Sequence, residues 1–195
     1  MPALTGAVTV LAVIVLLVAG CGGATEPPSP PVPLPAPADA SLPPRPVELR
    51  LDGVDPCSLL TDHQRGQLGV GAGMSARGSE SSPLKGDSCI WTNFPDHPAS
   101  NWTGRTVLAQ GADYALGREP PRAVDGFAAT TTGSTGSDPA YYCLMLVDVA
   151  PDQSLAAQYD NGSKDYPGMN HQLACDKAQQ LASDMLSTLR AIKRR

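Results

Sequence analysis

The sequence predicts an α+β domain: an antiparallel (mixed) β-sheet of about five or six strands, packed by a short N-terminal helix and a long C-terminal amphipathic helix and braced by two disulfides. Three observations predict it. Between Asn170 and Ile192 the residues Ala174, Ala178, Leu181, Ala182, Met185, Leu186, Leu189 and Ile192 recur every three or four positions, which is one apolar stripe of a helix. Tyr142 to Val149 is apolar on both faces, as befits a strand inside a sheet. Four cysteines are spread over these elements, an even number in a chain that opens with an export signal.

That signal is the apolar, uncharged run from Ala7 to Ala19, which ends in Val18-Ala19-Gly20-Cys21. The run is short for a bilayer span but suits the core of a signal peptide, and small residues precede the cysteine where a peptidase needs access. This is a lipobox. It predicts cleavage of residues 1–20, acylation of Cys21, and a chain held by its lipid on the extracytoplasmic face of the plasma membrane. Ahead of the run, Met1 to Thr5 offers only the α-amino group as positive charge. An uncleaved membrane helix with Cys21 as an ordinary thiol is the alternative, and it too leaves the rest outside. From Gly22 to Pro46 there are ten prolines in 25 residues. Such a tract lacks core-forming side chains and favours extended polyproline II, so residues 21–46 read as a lipidated tether and 47–195 as one domain.

Within the domain, Val47 to Leu51 alternates apolar and charged residues and predicts an edge strand ending at Asp52-Gly53. Asp55 can cap a turn that begins at Pro56. Thr61 with Gln64 makes a capping box and Gly69 a stop, which predicts a helix over 62–68 with Leu59, Leu60 and Leu68 inward. Gly71 to Ser82 reads as a loop. Ser88 to Thr92 predicts a strand with Cys89 and Trp91 on one face, and Trp102 to Ala109 predicts the next. A helical turn fits around Asp113 to Leu116, and Ala123 to Thr131 reads as one weaker strand containing Gly126. After the apolar strand, Pro151 to Ser154 is a turn, and Leu155 to Tyr159 returns antiparallel.

With Cys21 committed to lipid, Cys57, Cys89, Cys143 and Cys175 permit three pairings. The favoured one joins Cys57 to Cys89 and Cys143 to Cys175, each linking a cysteine near a helix start to one on a strand. A four-thiolate metal site would need close cysteine pairs, and none exists, so no metal or cofactor is expected. The formal net charge of −5 argues against a nucleic-acid partner. Lys193-Arg194-Arg195 reads as the solvated end of the last helix.

These residues together resemble a known group. The lipobox, the Pro-rich spacer, the run Asp55-Pro56-Cys57-Ser58-Leu59-Leu60-Thr61, then Cys89-Ile90-Trp91, Cys143 in its apolar strand and Cys175 opening the last helix are similar to the actinobacterial lipoproteins called domain of unknown function 3558. The resemblance covers residue 1 to about 190 and implies an envelope location in a high-GC Gram-positive host. It transfers no catalytic residue.

No residue pattern identifies a catalytic site. His63, His97 and His171 are scattered without ligand spacing, and neither Gly-Xaa-Ser-Xaa-Gly nor His-Glu-Xaa-Xaa-His occurs. Ser82-Pro83-Leu84-Lys85 matches Ser-Xaa-Xaa-Lys but sits among loop residues rather than on a helix. Gly133 to Ser137 could line an anion but reads more simply as a loop. Phe94, His97 and Trp102 form the candidate recognition patch, with core packing as the competing role for Trp102. The expected function is a noncatalytic envelope module that binds a lipid, glycan or protein partner. A hydrolase around Ser82 and Lys85, or a structural envelope component, are the other classes.

Overall fold

The computed structural model of the protein describes residues 41–78, 84–93, 100–116, 119–132, 141–162 and 168–194. Its strands are β1 (Met74–Ala76), β2 (Ser88–Asn93), β3 (Ser100–Val107), β4 (Arg122–Val124), β5 (Phe127–Thr132), β6 (Tyr142–Ala150) and β7 (Gln153–Asn161). They form one antiparallel sheet in the order β1-β2-β3-β7-β6-β5-β4. Two helices accompany it, α1 (Asp62–Leu68) and α2 (His171–Lys193), with 3-10 turns at Pro56–Leu59 and Ala112–Ala115.

The local signals at the helix ends act as their chemistry requires. Asp55 accepts from the Cys57 amide, and Thr61 and Gln64 close a reciprocal capping box. Gly69 ends α1 in the left-handed region, φ 67°. Asn170 caps α2 through the Leu173 amide. The stripe from Ala174 to Leu189 is buried as expected, whereas Ile192 is 37 % exposed because the helix runs past the sheet there.

Seven strands replace the expected five or six, for two reasons. The stretch 122–132 is a hairpin rather than one strand: Asp125 and Gly126 both have positive φ, 49° and 86°, the conformation of a tight type I′ turn. Met74–Ala76 pairs with β2 inside the predicted Gly-rich loop. The predicted edge strand at Val47 to Leu51 is not one. Its alternation buries Leu49 and Leu51, but among the described residues the run holds the sheet by one backbone bond, Leu49 N–H to the Val149 carbonyl (2.8 Å), and by Leu51 N–H donating to Gln153 Oε1 (2.7 Å).

Both disulfides have the favoured pairing, Cys57 with Cys89 and Cys143 with Cys175. They fasten the first turn and α2 to the same face of the sheet, over a core that contains Trp91, Phe127, Met145 and Met185. A smaller cluster on the opposite face joins Leu84, Val107, Ala112, Ala115, Leu146 and Ala156.

Candidate functional site

Alternation along the strands gives the sheet two unlike faces. Trp91, Trp102, Gly104, Tyr159, Cys143 and Met145 look toward α2; Ile90, Thr103, Arg105, Gln158, Asp160, Tyr142 and Leu144 look the other way. At one end of that second face the 3-10 turn Ala112–Ala115 covers the sheet, and Thr130 Oγ1 donates to the Ala112 carbonyl at 2.6 Å. Toward the other end the face holds a hollow of about 200 Å³ lined by Leu84, Thr103, Arg105, Tyr142, Leu144 and Gln158.

Register explains why these side chains meet. Asn101, Asp160 and Tyr142 stand in one row across β3, β7 and β6; Thr103, Gln158 and Leu144 stand in the next. Asn101 is engaged by the Thr92 hydroxyl at 3.1 Å, and Arg105 donates to the Leu84 carbonyl at 2.9 Å. Thr103, Gln158, Asp160 and Tyr142 are each half-buried, and none makes a side-chain hydrogen bond among the described residues. Buried or half-buried polar groups in folded proteins ordinarily find protein partners or ordered water, so the meeting of Thr103, Gln158 and Tyr142 in this lining makes the hollow the candidate site.

Burial pushes the Tyr142 hydroxyl up to about 12, with the neighbouring Asp160 acting the same way, so the phenol keeps its proton as a donor. Burial also raises the Asp160 carboxyl above its ordinary value. Its ionised form is therefore penalised in the folded state at neutral pH, while below the unfolded-state pKa, about 4, both states are neutral and the penalty vanishes. Asp160→Asn is thus expected to raise Tm by a few degrees at pH 7 and to leave it unchanged near pH 3. Calorimetry at both pH values checks this, and a lower Tm for the variant at pH 7 would show that the carboxylate stabilises the fold.

A larger cleft, about 840 Å³, lies between the start of the domain and the end of the β6–β7 hairpin, with Arg45, Glu48, Asp113, Asp148 and Asp152 in its walls. Its central charges are spent on each other, since Arg45 Nη1 lies 3.1 Å from both Asp148 carboxylate oxygens. Leu42 packs beside the smaller cluster, so the end of the Pro-rich tract is itself a wall of this cleft. A third group surrounds the second disulfide. His171 Nε2 is 2.9 Å from Glu119 Oε1 and 3.6 Å from Cys175 Sγ, and Thr131 donates to the same carboxylate. The Thr131 hydrogen bond and then His171 hold the Glu119 carboxyl below its ordinary value. With its sulfur bonded to Cys143, this array has no nucleophile.

Of the patch expected at Phe94, His97 and Trp102, the tryptophan is 4 % exposed and sits edge-on to Tyr159, ring centroids 4.8 Å apart, under the Lys177 ammonium. Phe94 and His97 lie outside the described residues, as do Cys21, Ser82 and Gly133 to Ser137. Lys85 and His63 are exposed, and His171, half-buried at the start of α2, contacts Glu119. Among the described residues no group of three or more His, Cys, Asp or Glu is placed to hold a metal ion. No described helix is long and apolar enough to cross a membrane.

Sequence reasoning missed Thr103, Arg105, Tyr142, Gln158 and Asp160. A signal existed in the polar positions two apart along β3 and β7, which mark one polar face on each strand. Comparison with curated proteins and with solved structures finds no match. A family model described as protein of unknown function, DUF3558, matches residues 16–188, and by that match the chain belongs to the DUF3558 family.

Proposed function

We propose that the chain is an exported lipoprotein of the cell envelope, acylated on Cys21, that serves as a noncatalytic binding module on the outer face of the plasma membrane. The observation that carries the reading is the pairing of all four downstream cysteines as disulfides, behind a lipobox. Disulfides persist in oxidising compartments outside the cytosol, and both staples here join distant elements rather than forming a reactive close pair. The Pro-rich stretch before residue 41 supports the same reading, because such a tract would space a folded unit from a lipid surface. The binding reading is supported by the hollow, where polar side chains meet an apolar patch.

The test is processing and labelling in the native host. Globomycin is expected to accumulate a form larger by the 20-residue signal, and a palmitate analogue is expected to label the wild type but not Cys21→Ala. Unchanged migration with globomycin, together with no label on the wild type, would overturn the anchor. Native mass spectrometry of protein purified from its own membrane should retain a bound ligand or partner.

A further inference from the structure

We infer that the hollow on the sheet face opposite α2 takes a neutral pyranose ring, the terminal sugar of a glycan. The inference rests on the binding reading above and names its ligand class. Three half-buried side chains of the hollow's lining, Thr103, Tyr142 and Gln158, make no side-chain hydrogen bond among the described residues, and half-buried Asp160, the register partner of Tyr142, stands beside them on the same face. Their capacities are of mixed kind: a carboxylate only accepts, while a hydroxyl, a phenol and an amide each donate and accept. A ligand that satisfies them must offer several groups able to do both within one ring's width. Vicinal hydroxyls on a saturated ring do so, and a carboxylate accepts from two neighbouring hydroxyls at once.

Charge and size narrow the class further. Asp160, beside the hollow opposite Tyr142, opposes an anion, and Arg105, held in the wall by the Leu84 carbonyl, opposes a cation. A purely apolar ligand would desolvate Thr103, Tyr142 and Gln158 without giving them hydrogen-bond partners. The apolar patch of Leu84, Leu144 and Ala156 offers a surface for the C–H face of a ring. At about 200 Å³ the space falls below the roughly 300–1,000 Å³ of pockets for drug-sized ligands, so it admits one ring rather than a chain. The Asp160 carboxylate beside the hollow, without a side-chain hydrogen bond among the described residues and held against the cost of burial, fits a group retained for recognition.

The experiment is saturation-transfer difference NMR on the full-length, disulfide-bonded protein in a zwitterionic detergent that carries no sugar. The panel is glucose, galactose, mannose and N-acetylglucosamine, with glucuronate and glucosamine as charged counterparts. At least one neutral sugar is expected to show ring-proton saturation and millimolar affinity, weakened about tenfold in both Asp160→Asn and Gln158→Leu. Near-UV circular dichroism matching wild type would show that both variants keep the fold. No saturation with any neutral sugar, equal affinity in the two folded variants, or preference for a charged counterpart would each overturn the inference. Those failures would leave the acylation of Cys21 untouched, and a failed acylation test would leave sugar binding untouched.

Discussion

Replacing Trp91 with alanine is expected to destabilise the domain by about 3–5 kcal/mol, the largest effect of any single change proposed for this chain. Trp91 is fully buried on β2, directly opposite Trp102 on β3. The neighbouring glycines leave room for it. A Cβ on Gly73 would come within 2.5 Å of the indole Nε1, and one on Gly104 would lie 3.0 Å from its Cζ3 and 2.6 Å from Met185 Cε. With glycine on two sides, no side chain at those positions can fill the space that alanine would leave, and the cavity cost adds to the transfer cost. The indole N–H makes no hydrogen bond among the described residues, so the loss is one of packing alone. Urea denaturation with disulfides intact would measure it; a loss below about 1 kcal/mol would show that the site collapses and that Trp91 does not organise the core.

Removing the Cys143–Cys175 bridge as Cys143→Ala/Cys175→Ala should cost about 3–4 kcal/mol on chain entropy alone. Both bridges span the same sequence separation of 32, so chain entropy predicts equal losses for the two double variants. Burial predicts inequality. Cys143 and Cys175 are both fully buried between β6 and α2, whereas Cys57 is only half-buried at the edge of the core. The Cys143/Cys175 pair is therefore expected to lose more, since alanine leaves voids there that the Cys57 site can fill from solvent. Urea midpoints of the two double variants decide the matter, and an equal loss would show that closure entropy outweighs packing.

Much of the architecture was legible because its determinants are local. The capping box at Thr61 and Gln64, the αL stop at Gly69 and the stripe of α2 each depend on residues within a few positions of one another. The Asp125-Gly126 turn was equally local, yet the short strands beside it read as one because Gly126 looked like an interruption within a strand rather than the turn between two. Val47 to Leu51 alternates like a strand, but alternation reports only which side chains bury, not whether a ladder partner is present.

The candidate site was of the other kind. From the sequence itself came the favoured cysteine pairing and the helix ends, the latter written in short-range spacing. Only the tertiary structure decided that β7 inserts between β3 and β6, and hence that Thr103, Gln158 and Tyr142, far apart along the chain, border one hollow with Asp160 beside it. The reason is physical: spacing within a strand sets which face a side chain takes, while strand neighbours are chosen by the packing of the whole sheet against α2, a sum over contacts that no short stretch of residues contains.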